Sequence, residues 1–432
     1  MSGKKIKAIY GTRDILPSEE EIWKIIITAV SGVASRYNYL FMHTPIFEAT
    51  ELFARGIGET SDVVTKEMYT FEDQGGRSLT LRPEGTASVV RSYIEHSMGA
   101  NQGLVKVWYA GPMFRQERPQ AGRFRQFYQF GFEAIGSLDP AIDAEIIAAN
   151  YDILKALAID DMKLFINSIG VPEERVAHKR AFSDFIKPRI DRFCPDCKKR
   201  FKTNPLRMFD CKERECTALL EDAPLIFDYL SKETRKHFDT VCEFLDLAGI
   251  DFELDKRLVR GLDYYTRTAW EIKSKKLGSQ DSVSGGGRYD LLVEQLGGKP
   301  TPGIGFAAGI ERVILSMSRN ELGENGAKRL GFFVAVRNAD YKKEAFGLAE
   351  KIRKLGIPAD IDYLGRSLKA QMKLADKSGF RYSIILAEDE MARGMAVVRD
   401  MADSSQCEIE LEEMHKVKNA KHLEELISHK RK

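Results

Sequence analysis

No apolar run in this chain of 432 residues comes near the roughly 20 residues needed to cross a bilayer; the longest, such as residues 25–30 and 384–387, are far shorter. Low-complexity tracts and internal repeats are missing as well, which excludes a solenoid. Neither sign of charge is in excess: 66 Lys and Arg against 64 Asp and Glu leave a formal charge of +2. The chain is therefore no polycation that binds nucleic acid by bulk attraction, and any RNA site must be local. Cysteines number only six, and the start, MSGKKIKAIYG, has basic residues with no apolar stretch behind them. Together these argue against a secreted disulfide framework and for a cytoplasmic protein with free thiols or a metal site.

What is present suffices for a large core. A chain of this length exceeds the size at which one hydrophobic core stops growing, so two main domains and an insertion are expected. Four of the cysteines cluster as CxxC-x13-Cx4C: Cys194, Cys197, Cys211 and Cys216. The spacing is close to that of a four-thiolate zinc site, and four free thiols fit it equally well. Cys242 and Cys407 read as isolated core thiols.

Apolar residues at Ile22, Ile25, Ile26, Ala29, Val30 and Val33 recur at helical spacing, which predicts a first helix over residues 19–37. KEMYTFED and RSLTLRP, separated by Gly75-Gly76, predict a hairpin, with a helix from about Glu84. Residues 104–115 (LVKVWYAGPMFR) and 123–135 (RFRQFYQFGFEAI) predict two antiparallel strands joined by QERPQAG. A helix follows over 141–156, and 171–250 reads as a charged, mainly helical insertion. Strand character returns at LVRGLDYYTRTAWEI, DSVSGGGRYD and GIGFAAGI, the last leading into a helix. The result is an α+β domain, an antiparallel sheet flanked by helices, over residues 1–325. RNELGENGAKR has linker composition; beyond it strands and helices alternate as βαβαβ, predicting an α/β domain over 326–432.

Side chains alternate faces along a strand. From Gly122 onward Arg123, Arg125, Phe127, Gln129, Gly131 and Glu133 point one way and Phe124, Gln126, Tyr128, Phe130 and Phe132 the other. One face is aromatic and suited to packing. The other offers cations, an amide, a gap and a carboxylate, where Gln129 and Glu133 can accept hydrogen bonds from an ammonium or an imidazole N–H. Taken alone, the pattern also fits a sheet edge with solvated charges. Three further clusters favour a site. Arg82-Pro83-Glu84-Gly85-Thr86 stands where a strand ends and a helix begins, although Glu84 also suits a helix dipole. In Arg260-Gly261-Leu262-Asp263-Tyr264-Tyr265 an arginine beside glycine can approach a phosphate. Gly285-Gly286-Gly287-Arg288-Tyr289-Asp290 lacks the Walker A ending and the GxGxxG spacing, and by itself reads as a flexible turn.

In this order the segments resemble the signature motifs of class II aminoacyl-tRNA synthetases in the form used by the histidyl-tRNA synthetase family. GTRDILP and Pro45 resemble the first motif, which in the family makes the dimer interface; MFRQERPQAGRFRQFYQFGFE resembles the second and GIGFAAGIERVI the third. LVRGLDYYT and SGGGRYDLL resemble the two histidine motifs, and SLKAQMKLADKSGFRYSIILAEDE the anticodon-binding domain. Their co-occurrence from residue 11 to about 312 is far more specific than any one of them.

The resemblance implies ATP-dependent ligation of L-histidine to its tRNA through histidyl-adenylate, releasing pyrophosphate and AMP, by a cytoplasmic homodimer. It implies a histidine site at Glu84, Thr86, Arg115, Gln129, Glu133, Arg260, Tyr264, Tyr265 and Tyr289. ATP would lie against Arg115, Glu117, Arg123 and Arg312 with Mg²⁺ on its outer phosphates, Arg115 and Arg260 acting as catalytic cations. Arg118 and Gln120, with Arg123 beside them, are candidates for contact with the tRNA acceptor end. The family's plan contains no zinc, so the cysteine cluster stands apart from it. Two rivals remain: a synthetase-like regulatory protein, disfavoured by the retained Arg115, Arg260 and Arg312, and a zinc-dependent RNA-binding module, which leaves the polar strand face unexplained.

Overall fold

Alternating apolar residues in the two segments on either side of QERPQAG form the long antiparallel pair expected of them, and the larger sheet is built outward from that pair. The structure, a computed structural model, describes residues 5–58, 63–278, 281–317 and 329–430. The chain divides into two compact units, Met1–Ser318 and Arg319–Lys432. The stretch 319–329 read as a linker, and the 325/326 boundary within it, fall almost wholly outside the described residues.

The strands of the first unit are β1 (Leu40–Phe41), β2 (Phe47–Ala49), β3 (Tyr69–Glu72), β4 (Ser78–Leu81), β5 (Val105–Phe114), β6 (Gln126–Ile135), β7 (Met162–Ser168), β8 (Phe252–Leu254), β9 (Thr266–Ser274), β10 (Ser282–Arg288) and β11 (Gly303–Gly309). Among the described residues, eight of them form one sheet in the order β1-β5-β6-β11-β10-β9-β7-β8. From β5 to β7 every neighbouring pair is antiparallel; the edge pairs β1/β5 and β7/β8 are parallel. The expected hairpin is β3–β4, which joins β2 in a small separate sheet. Its turn is held by the Asp73 carboxylate, which accepts the amides of Gly75 and Arg77, while Gly76 takes φ 74°.

One face of the large sheet packs on helices Glu20–Arg36, Pro140–Ala156 and Lys232–Leu247. Phe130, Phe132, Trp270, Ile304 and Phe306 meet Ile26, Val30, Ile146 and Phe238 there. The Phe132 and Phe306 rings stack at 5.1 Å, a pair contributing about 0.5–1.5 kcal/mol beyond its buried area. The aromatic face read from the alternation is thus the core face.

One sequence expectation is corrected. The first half of LVRGLDYYTRTAWEI is loop, and β9 begins only at Thr266. The glycine run is the body of β10, as the strand reading of DSVSGGGRYD expects and the reading of the run alone as a turn does not. Strand β7 was not anticipated, because its half-buried alternation is short and lies next to a helix.

The 171–250 region is helical as expected, with helices Pro172–Ile186, Pro195–Thr203 and Arg214–Leu219 around a small core of their own. Its last helix, Lys232–Leu247, joins the main core instead.

The second unit holds β12 (Phe332–Val336), β13 (Ala359–Ile361), β14 (Tyr382–Leu386), β15 (Met395–Asp400) and β16 (Gln406–Glu410), ordered β13-β12-β14-β15-β16. The first three are parallel, as the βαβαβ reading requires; β15 and β16 extend the sheet antiparallel. No described helix is long and apolar enough to cross a membrane.

Candidate active site

Residues directly opposite one another in an antiparallel sheet share a face, so the register lays out the floor of the site. One row runs Tyr109, Gly131, Ala307, Gly285, Glu271; the next runs Val107, Glu133, Gly305, Gly287, Ala269. Gln129 lies between Gly111 and Gly309. Small residues leave room above the sheet, and neighbouring side chains lie in it. A Cβ on Gly285 would run into the Arg260 guanidinium, one on Gly305 into the Glu133 carboxyl, and one on Gly131 into the Tyr109 hydroxyl. Gly286 faces the other way, where a Cβ would strike Trp270 and Phe306. Crowding on both faces, rather than a need for a turn, accounts for three glycines in succession.

Glu133 lies at one end of this strip and is fully buried. The Thr86 hydroxyl donates to its Oε1 at 2.7 Å and the Tyr289 hydroxyl to its Oε2 at 2.6 Å. Burial pushes its pKa up to about 8; those two hydrogen bonds oppose the rise and the charge of Glu84 adds to it. Glu84 sits two residues ahead of helix Thr86–Glu95, not in its first turn as expected. From there its carboxylate accepts the Thr86 and Ala87 amides at 2.7 and 2.9 Å, and burial raises its pKa too. The buried rings of Tyr264 and Tyr265 lie 4.6 Å apart, and that of Tyr264 is 5.9 Å from Tyr289. Gln129 Oε1 is buried with no hydrogen-bond partner, an acceptor that a bound donor would satisfy.

Arg260, Arg312 and Arg123 lie around Glu271 and Glu117, while Arg115 lies near Glu84. Arg260, on the loop before β9, crosses Gly285, donates from Nη1 to Glu271 Oε1 at 2.7 Å and lies 5.3 Å from the Tyr265 ring centre. Arg115 follows β5; its Nε donates to the Pro83 carbonyl at 3.0 Å, its guanidinium lies over Phe127, and its charge acts on Glu84. Arg312, in helix Ile310–Ser316, donates from Nε to the Ser282 carbonyl at 2.7 Å. Burial lowers its pKa, and so does the charge of Arg123 beside it, while Glu271 and Glu117 act in the opposite sense. Arg123 pairs with Glu117 at 3.3 Å. Arg118 and Gln120 are exposed on the loop between β5 and β6.

The expectation fails at Arg125. β6 begins at Gln126, so strict alternation does not reach back to it. Its amide donates to the Gly11 carbonyl at 2.7 Å and its guanidinium lies over Tyr10, tying down the GTRDILP segment. Two residues of the strip went unnoticed in the sequence, Tyr109 and Glu271. Each faces a glycine across the sheet, a signal legible only once the register is known. Arg288 is a structural member beneath the strip: fully buried, it donates from Nε to both Asp143 oxygens at 2.9 Å. His237 and Thr268 also bond Asp143.

The four clustered cysteines lie in the insertion, their sulfurs all within 4.8 Å of one another.

A family profile described as Histidyl-tRNA synthetase matches residues 11–181 and 213–313, and one described as Anticodon binding domain matches residues 327–420. A protein named Histidine--tRNA ligase from Halothermothrix orenii is 51% identical over 416 residues, 95% of this chain and 99% of that one. One of the same name from Desulforamulus reducens is 49% identical over 404 residues, 94% of this chain and 96% of its own. The crystal structure of apo S. aureus histidyl-tRNA synthetase superposes with a TM-score of 0.79 at 37% identity, covering 99% of this chain and 100% of that one.

Proposed function

The chain belongs to the histidyl-tRNA synthetase family, class II enzymes that use ATP to join histidine to its tRNA, and we propose that the glycine-floored strip is where it does so. One arrangement carries the assignment. A fully buried carboxyl, Glu133, and the unpartnered Gln129 carbonyl flank Gly131 on β6 above a glycine-rich floor, and Arg260 crosses Gly285 two strands away.

Histidine enters with its ammonium or imidazole N–H toward Glu133 and Gln129, among Glu84, Thr86 and the rings of Tyr264, Tyr265 and Tyr289. Tyr109 closes the pocket beside Gly131. ATP is held by Arg123, Glu117 and Arg312, with its α-phosphate toward Arg115 and Arg260. A carboxylate oxygen of histidine attacks the α-phosphorus, and the bond to the β-phosphate oxygen breaks to release pyrophosphate. Negative charge builds on the phosphoryl oxygens in that step, where fixed arginines stabilise it without reorganising. Arg260 is held in place by Glu271 and Tyr265, which keeps it preorganised. Glu117 and Glu271 are hard oxygen donors of the kind Mg²⁺ takes alongside phosphate, so the residues present fit that ion, which when bound offsets charge on the outer phosphates. In the second step a terminal ribose hydroxyl of the tRNA attacks the activated carbonyl and AMP leaves, with catalysis by positioning.

The exposed Arg118 and Gln120 are assigned to the tRNA acceptor end. Residues 1–325 are assigned to catalysis and 326–432 to the anticodon. A homodimer accords with the exposed apolar side chains Ile9, Tyr10, Leu16, Leu40, Phe41 and Phe47, which a partner surface would cover. The same reading places the enzyme in the cytoplasm.

Histidine-dependent exchange of pyrophosphate into ATP tests the assignment. Arg260→Ala is expected to slow exchange by two to three orders of magnitude, about 2.7–4 kcal/mol of barrier, while histidine binding by calorimetry stays near wild type. Unimpaired exchange would remove Arg260 from the reaction; equal loss of exchange and binding would move it to the histidine pocket.

A further inference from the structure

The catalytic strip makes no use of the four cysteines of the insertion. We propose that Cys194, Cys197, Cys211 and Cys216 hold a structural zinc ion that clamps the insertion onto the loop carrying Arg260.

The four sulfurs converge from three stretches of chain. Cys194 caps helix Pro195–Thr203, Cys197 lies in its first turn, Cys211 follows the turn Pro205–Asp210, and Cys216 sits in helix Arg214–Leu219. Tetrahedral zinc with Zn–S bonds of about 2.3 Å implies sulfur pairs about 3.8 Å apart. Cys194 and Cys211 already stand at 3.8 Å, and all four fall within 4.8 Å. No disulfide competes, since all six cysteines are free. Backbone amides point at the sulfurs: Cys197 N–H donates to Cys194 Sγ at 3.4 Å and Cys194 N–H to Cys216 Sγ at 3.3 Å. Such hydrogen bonds favour thiolate over thiol and orient the ligands. Four thiolates around Zn²⁺ leave a charge of −2, and Lys198, Lys199, Lys212 and Arg214 flank the ligands in sequence.

The insertion also has reason to need such an ion. Its own core is small, built on Phe182, Ile186, Phe193, Met208 and Leu220 together with Cys197 and Cys216 themselves. Its helices Pro195–Thr203 and Arg214–Leu219 are short. Modules with so little to bury are commonly stapled by a metal.

The segment between the second and third ligands faces the Arg260 loop. Asn204 Nδ2 donates to Asp263 Oδ1 at 3.1 Å. Thr203, Leu206, Arg207 and Phe209 line one wall of a cavity of about 440 Å³, and Leu258, Arg260 and Leu262 line another. Fixing Cys197 and Cys211 on one ion therefore fixes the wall against which the loop rests.

The full-length protein, purified without chelator, is expected to carry about one zinc per chain by mass spectrometry. Replacement by Co²⁺ should give the visible bands and near-ultraviolet charge transfer of a tetrahedral thiolate site. Cys211→Ser and Cys216→Ser should abolish both; because such variants can misfold, the wild-type chain stripped of metal by a mercurial gives the same comparison. Hydrogen exchange should then rise in residues 203–209 and 258–263 and fall again when Zn²⁺ is returned. Less than roughly a tenth of an equivalent of zinc, with four thiols that titrate in the native protein, overturns the site. Loss of zinc with unchanged exchange at 258–263 overturns the clamp. Neither readout depends on the role of Arg260 in the reaction.

Discussion

Along β16 of the second unit Cys407 and Ile409 are buried while Gln406, Glu408 and Glu410 face water; along β6 of the first, residues 130 to 135 are all buried, Glu133 among them. Where one face of a strand is wet, alternation alone settles where charge goes. Where protein covers both faces, each polar group needs a partner or a ligand. In the first unit those needs are met in two ways. Asp143 and Arg288 satisfy one another with 0% exposure on both side chains, whereas Gln129 Oε1 has no hydrogen-bond partner. The sheet thus keeps a saturated charge pair for support and an unsaturated polar end for a ligand.

Breaking the saturated pair should have the largest effect. Asp143→Ala leaves Arg288 buried without its carboxylate and is expected to cost about 3–5 kcal/mol of stability, read from the denaturant midpoint. A cost near that of an exposed pair would erase the distinction between support and site. Second comes the floor: Gly285→Ala places a methyl group where the Arg260 guanidinium lies, and pyrophosphate exchange should drop on the order of 10²-fold with little change in melting temperature. Normal exchange would mean that Arg260 need not lie across that strand.

Third is the pH response of Glu133. Its pKa is raised to about 8, so the folded, unliganded chain keeps a proton that the unfolded chain loses near the ordinary carboxylate range. The carboxyl therefore penalises stability as pH rises from that range through about 8. A cationic group favours the ionised form, so histidine held by its ammonium should bind more tightly as pH rises toward 8, by up to about tenfold per unit. Glu133→Gln should flatten the profile; an unchanged slope would assign the titration to another group. Last and least, Arg393→Ala in the second unit removes an exposed pair with Glu408 at 3.0 Å. No measurable shift in melting temperature is expected, since water screens both ends.

Much of this site was legible in the sequence. The alternation of β6 sorted Phe130 and Phe132 from Gln129 and Glu133 correctly, because a long strand has a period of two whatever it packs against. Alternation said nothing useful at Arg125, where the strand had not begun, nor at residues 285–287, whose glycines are explained by Arg260, Trp270 and Tyr265 from other parts of the chain. Tyr109 and Glu271 were passed over for the same reason: what marks them is the glycine opposite.

The residues by themselves determined the class of fold, the family and most of the groups that meet at the candidate site, since periodicity, turn chemistry and ordered motifs are local in the chain. Only the tertiary structure decided which charges are spent on support and which are open to ligands, and that the sulfurs of Cys194, Cys197, Cys211 and Cys216 meet at one point. Those outcomes depend on packing, strand register and burial, which for Asp143 and Arg288 arise when segments 145 residues apart come together and water is excluded from between them.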